Sequence, residues 1–180
     1  MPDIASTFTP PKLRVLVPAE KIKERIEELG KQISADYQGP IIMIGILKGA
    51  FIFMSDLARV IENPTRIDFM GISSYGNSKS TSGEVRLTKD LDMSVEGLDV
   101  LVVEDIVDSG VTLTYLIHLL SQRRPRSIRI AALLDKPDRR MRPIKVNYCG
   151  FEIPDEFVVG FGLDYAEEHR NLKDICVLEG

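Results

Sequence analysis

The chain has 180 residues, 44% hydrophobic and 28% charged, with a formal net charge of −4 and two cysteines. That length suits one domain with a single continuous core, the composition does not indicate disorder, and the acidic balance gives no global pull toward nucleic acid or an anionic membrane. The opening MPDIASTFTPPKL lacks the basic start and apolar core of a secretory signal, no apolar run reaches bilayer length, and Cys149 and Cys176 read as reduced thiols of a cytoplasmic protein.

In chain order, Pro18 suits a first helical turn and Ile22, Ile26, Leu29 and Ile33 share one face, predicting an amphipathic helix over 18–36. Residues 40–47 are a short Ile-rich run between Gly39-Pro40 and Lys48-Gly49, as expected of a strand buried on both faces. Ala50, Phe53, Met54, Leu57 and Ile61 return to helical spacing until Asn63-Pro64 stops it. A strand over 66–75 and a return strand over 84–91 flank SSYGNSKSTSGE, whose composition predicts an exposed, mobile connection. Residues 100–103 form an apolar strand, Leu113, Leu116, Ile117 and Leu120 a helical face ended by QRRPR, and 127–134 another buried strand. DKPDRRMRP is a charged loop, and the tail holds two short strands near 146–149 and 157–160 before 162–170 loops back. Repeated strand–helix units predict an α/β fold with a right-handed parallel sheet.

Ligands of such sheets sit beyond the carboxyl ends of the strands, which gathers Lys48-Gly49, Glu104 to Thr112 and Asp135 to Pro137 at one edge. In VLVVEDIVDSGVTL (100–113), a helix starting near Gly110 offers unpaired N–H groups, a positive dipole end and the hydroxyls of Ser109 and Thr112, a cradle for phosphate. No Gly-Lys-Ser/Thr follows the turn, and the nearest spacing match, Gly71 to Gly76, is followed by Asn77, so a P-loop ATPase is not indicated. Glu104 and Asp105 at a strand end can accept hydrogen bonds from vicinal sugar hydroxyls or help hold Mg²⁺. Asp108, inside the turn, is placed to serve as a general base. A phosphorylated ribose with a metal satisfies both halves; the bland alternative is that the pair solvates a strand end while Asp108 caps a helix. His118 and His169 have no motif partners for metal or nucleophilic work.

The stretch VLVVEDIVDSGVT resembles the phosphoribosyl-diphosphate (PRPP) signature of the type I phosphoribosyltransferases. LKGA (47–50), SYG (74–76), DKP (135–137) and FEIPDEFVVGFGLDY with Arg170 are similar to the hypoxanthine-guanine branch of that family, so the resemblance runs from about residue 40 to the end. It implies one domain over 1–180: a mainly parallel twisted sheet flanked by helices, a core of about 36–140, a small hood from about 1–20 and 145–180, and a flexible two-strand loop.

By the same resemblance, Glu104 and Asp105 contact the ribose hydroxyls directly or through Mg²⁺, and Asp108, Ser109, Gly110, Val111 and Thr112 wrap the 5′-phosphate. Asp108 also faces purine N7 as the base. At Val111 relatives can carry a basic residue, so here the phosphate relies on N–H groups and hydroxyls. Lys48, Gly49 and Arg170 are the implied pyrophosphate contacts, with a Leu47–Lys48 peptide that can be cis. Lys136 donates to purine O6, Phe157 stacks on the ring, Val158 offers backbone hydrogen bonds, and Asp164 is a further Mg²⁺ ligand. An ammonium at O6 favours 6-oxopurines over adenine. Ser74 and Tyr75 belong to a loop that closes over the reacting sugar. Mg²⁺ is the implied cofactor, PRPP and a 6-oxopurine the partners, and a homodimer or homotetramer the implied assembly, without nucleic acid or membrane. Two further readings stand beside this one: a nucleotide-sensing regulator of the same fold that binds RNA or operator DNA through QRRPR and DRRMR, and a xanthine-preferring sibling enzyme.

Overall fold

The Ile22–Ile26–Leu29–Ile33 stripe is the buried face of α1 (Ala19–Asp36), which starts as the Pro18 carbonyl accepts the Lys21 and Ile22 N–H groups. The computed structural model describes residues 12–74 and 85–179. Before α1 lies β1 (Lys12–Val17); after it come β2 (Ile41–Leu47), α2 (Phe51–Ala58), β3 (Thr65–Ser74) and β4 (Val85–Lys89). Then follow β5 (Asp99–Val107), α3 (Val111–Ser121), β6 (Ser127–Asp135), a 3₁₀ turn at Pro137–Arg139, β7 (Tyr148–Glu152), β8 (Val158–Val159) and β9 (Ile175–Glu179).

Six strands form one sheet in the order β4-β3-β2-β5-β6-β7, in which only β4 runs antiparallel to its neighbour. Helices cover both faces. Ile41, Met43, Leu101, Val103 and Leu133 pack toward the α1 and α2 side chains, whereas Ile42, Ile44, Val100 and Val102 pack toward Leu113, Leu116 and Leu120 of α3. Each such side chain contributes roughly 1.5–3 kcal/mol on full burial. From β2 the chain steps one way to β3, and from β5 it steps the other way to β6. The crevice beyond the carboxyl ends of β2 and β5 is therefore the topological switch point, where ligands of open α/β sheets bind.

Three features depart from the sequence expectation. The strand expected over 100–103 continues to Val107 because β6 goes on pairing with it after the β2 ladder ends at Val103: Glu104 faces Ala132, Ile106 faces Leu134 and Val107 faces Asp135. Backbone ladders outweigh the polar interruption. The strand expected near 146–149 forms at 148–152 and joins the main sheet beside β6. A second sheet, β1-β9-β8, is antiparallel and pairs Val15 with Cys176 and Val158 with Val177; neither β1 nor β9 was expected as a strand. Both cysteines are free thiols, and no helix among the described residues is long and apolar enough to cross a membrane.

Candidate active site

The turn from β5 into α3 passes through Asp108 and Ser109 to Gly110, whose φ of 77° suits glycine. Thr114 is the first N–H to return to the turn, onto the Gly110 carbonyl at 2.9 Å, so the N–H groups before it lack intrahelical acceptors. A cavity of about 100 Å³ opens here, lined by Glu104, Ile106, Asp108, Ser109, Gly110 and Thr112. The segment after the 3₁₀ turn buttresses the loop from outside. Met141 and Arg142 donate their N–H groups to the Ser109 carbonyl at 2.9 and 3.2 Å, and Arg140 donates to the Asp108 carbonyl at 2.7 Å while pairing with the Asp135 carboxylate. Arg139 Nε donates to Asp108 Oδ1 at 3.1 Å and its Nη1 reaches Asp155 at 3.4 Å. These arginines were legible in sequence only as a charged loop.

Glu104 and Asp105 are not side by side. Because β5 runs through them, their side chains alternate to opposite faces of the sheet. Glu104 lines the cavity with the 108–112 turn. Asp105 lies against Gly49, where a Cβ would overlap its carboxylate, and it senses Arg170 and Asp164. Burial, reinforced by the charge of Asp105, pushes the Glu104 carboxyl well above its ordinary value. Burial also pushes Asp105 up to about 6, against the lowering effect of the Ile106 N–H, which donates to it at 2.8 Å.

Lys48 and Gly49 follow β2 after a cis Leu47–Lys48 peptide. Gly162, with φ 103°, presses on the Gly49 carbonyl so closely that a Cβ there would overlap it. Gly49 is thus held between Gly162 and Asp105. Arg170 Nη1 donates to the Gly162 carbonyl at 2.8 Å and its Nη2 pairs with Asp164 at 2.9 Å. Lys48 Nζ donates to Glu167 at 2.8 Å. Glu167, absent from the sequence-based site, sits in the loop without a motif signal of its own.

Lys136 follows β6, its N–H donating to the Val107 carbonyl at 2.9 Å, so it hangs beside the end of β5. Its side chain is buried, with Nζ donating to the Glu156 carbonyl at 2.8 Å and lying 3.6 Å from Asp155. The neighbouring Phe157 ring is 54% exposed, leaving a face free for another ring, and meets Tyr165 edge-on at 5.7 Å. Val158 is buried in β8. Ser74 is the last residue of β3, and Tyr75 lies outside the described residues.

Among the described residues no ready-made group of three metal-ligating side chains is present. The donor set still fits Mg²⁺, which is held by one or two carboxylates plus substrate phosphates more often than by a protein cage. Half-buried Asp105 near Asp164, and buried Glu104 beside the phosphate turn, are hard oxygen donors whose ionised forms ask for a cation.

A family model described as a phosphoribosyl transferase domain matches residues 16–166. The chain is 52% identical over 167 residues to the hypoxanthine-guanine phosphoribosyltransferase of Bacillus subtilis (strain 168), covering 92% of this chain and 93% of that protein. It is 51% identical over 172 residues to the Mycobacterium avium protein of the same name, covering 92% and 85%. A crystal structure of a hypoxanthine phosphoribosyltransferase from Staphylococcus aureus superposes with a TM-score of 0.88 at 48% identity, over 92% of this chain and 91% of that one.

Proposed function

The chain belongs to the phosphoribosyltransferase family, and from that premise we propose that it is a purine salvage enzyme joining hypoxanthine or guanine to the phosphoribosyl group of PRPP. IMP or GMP and pyrophosphate are the products. The observation that carries the 6-oxopurine assignment is Lys136, a buried ammonium between the exposed Phe157 face and the end of β5. A 6-oxo group accepts from that ammonium, whereas the amino group of adenine leaves a donor facing a donor. The relatives named above carry hypoxanthine and guanine in their names.

On this reading the Ser109–Thr112 turn takes the 5′-phosphate with its N–H groups and hydroxyls, the long 3.4 Å bond from the Val111 N–H to Ser109 Oγ being given up to it. A ribose lying across the carboxyl edge of β5 meets Glu104 on one face and Asp105 on the other. Purine N9 forms its bond to C1′ as the bond from C1′ to the pyrophosphate oxygen breaks, and Asp108 takes the proton the purine sheds at N7. Carboxylates around the sugar favour its oxocarbenium-like charge. Arg139 fixes the Asp108 carboxylate by a hydrogen bond at 3.1 Å. Lys48 and Arg170 receive the pyrophosphate. Asp105 and Asp164 would hold Mg²⁺, which would supply charge neutralisation for the leaving pyrophosphate, while Glu104, on the other face of β5, is left to the ribose hydroxyls and any ion bound with them.

We assign the protein to the cytoplasm as a homodimer or homotetramer of single-domain subunits, its hood made by β1, β8 and β9. Against the nucleic-acid-binding reading, Arg123, Arg124, Arg126, Arg139 and Arg140 each have a carboxylate partner, which leaves Arg142 as the one arginine of the two basic runs outside an ion pair among the described residues and weakens the positive field of both. The test is kcat/KM for hypoxanthine, guanine, xanthine and adenine with PRPP and Mg²⁺. Turnover with a 6-oxopurine and a large kcat loss in Asp108→Asn at nearly unchanged KM for PRPP, about 10²- to 10⁴-fold, are expected. Absence of turnover with every 6-oxopurine refutes the assignment.

A further inference from the structure

The two cations assigned to pyrophosphate already share an anion of the protein's own. Glu167 accepts from Lys48 Nζ at 2.8 Å and lies 3.5 Å from Arg170 Nη2. Lys48 above all, with Arg170 adding to it, holds the Glu167 carboxyl below its ordinary value. Arg170 Nε is buried and has no hydrogen-bond partner among the described residues, so the donors of its guanidinium are not all engaged.

The backbone under Glu167 is unusual. Tyr165 and Glu168 exchange N–H to carbonyl bonds at 3.1 and 3.0 Å around Ala166 and Glu167, whose φ values are 52° and 67°. Two left-handed central residues define a type I′ turn, the geometry that favours Asn-Gly. A glutamate there bears a conformational penalty that glycine avoids. The Asp164 carboxylate pins the turn by accepting the Glu167 N–H at 2.9 Å. The turn therefore presents a carboxylate to Lys48 at a position where the backbone alone prefers no side chain.

We propose that Glu167 is a built-in counter-anion of the pyrophosphate subsite. Its carboxylate neutralises Lys48 and Arg170 when no phosphate group is bound, gives way to the more highly charged diphosphate of PRPP, and re-forms the bridge as pyrophosphate leaves. This rests on Lys48 and Arg170 being the pyrophosphate contacts. Lys48 and Glu167 are each 65% exposed, so the bridge is weak enough to exchange readily.

The test compares Glu167→Gln and Glu167→Gly with the unaltered protein in inhibition by magnesium pyrophosphate, KM for PRPP and KM for purine. Glycine is the variant the turn tolerates best, so its melting temperature should not fall. Both variants should bind pyrophosphate and PRPP about two- to fivefold more tightly, with KM for purine unmoved. In a Lys48→Met background that gain should vanish. Unchanged or weaker pyrophosphate affinity in both Glu167 variants, while Lys48→Met still weakens it, overturns the counter-anion alone. If Lys48→Met and Arg170→Met both leave pyrophosphate inhibition untouched, the subsite assignment falls and takes the counter-anion with it.

Discussion

Replacing Gly162 by alanine should loosen two loops at once. A φ of 103° lies outside the regions that L-residues adopt, and the added Cβ would overlap the Gly49 carbonyl oxygen. Gly49 has little room to retreat, because the space a Cβ would take there is filled by the Asp105 carboxylate. The 160–163 loop must move outward, straining the Gly162 N–H to Arg170 carbonyl bond at 3.0 Å and the Arg170 bond to the Gly162 carbonyl at 2.8 Å. Backbone strain of about 1–3 kcal/mol plus roughly 1 kcal/mol for a weakened hydrogen bond gives about 2–4 kcal/mol. For a chain of this size that corresponds to a Tm lower by about 4–16 °C. Thermal and urea melts should show it, together with a raised KM for PRPP. Gly39→Ala is the control, since a Cβ there meets nothing within 4 Å. A Gly162→Ala protein that melts within a degree of Gly39→Ala and keeps its KM for PRPP would falsify the idea that this contact sets the Lys48-Gly49 loop.

Asp105, lifted from 3.8 to about 6 by burial, makes the Mg²⁺-free protein less stable as pH rises through that interval, since the unfolded chain ionises first. The whole gap corresponds to on the order of 3 kcal/mol, about half of which falls between pH 5 and 7.5; urea titrations at those two values should show a larger loss in the unaltered protein than in Asp105→Asn, and parallel losses would count against it. Lys136→Met should cut kcat/KM for hypoxanthine by roughly 10- to 100-fold, the worth of a charged hydrogen bond, while adenine changes little; a uniform loss for both purines would assign Lys136 a packing role. Arg140→Met leaves buried Asp135 without its partner and frees the Asp108 carbonyl, so a destabilisation of about 2–4 kcal/mol with weakened PRPP binding is expected in denaturant melts and initial-rate kinetics.

Much of this site was legible because its chemistry is local. Strand, acids, glycine and hydroxyls occur within VLVVEDIVDSGVTL, and periodicity alone places α1, β2, α3 and β6. The length of β5 was not legible, since the rule that ends a strand at its first charges ignores the neighbour β6, whose ladder carries it on to Val107 after that of β2 has ended at Val103. That one error hid the separation of Glu104 and Asp105 onto opposite faces. β1 and β9 escaped for a related reason: KLRVLV has an exposed edge, with Val15 half exposed, and becomes a strand only when it meets residues 175–179. Arg139, Arg140 and Glu167 carry no spacing signal, because their roles come from loops that meet only in the folded chain.

The small sheet also bears on how the protein comes into being. Its middle strand, β9, is the last element of the described chain, and it alone joins β1 to β8, where the proposed purine wall begins. The pairing of β2, β5 and β6 and the Asp108–Thr112 turn need nothing from residues 175–179, whereas Val158 has its only strand partner there. Closing so long a loop is slow, because its entropy must be given up before the strand contacts repay it. On the proposed assignment of the pocket, the half for the sugar phosphate needs no residue beyond β6, whereas the wall for the base is completed only by the final strand.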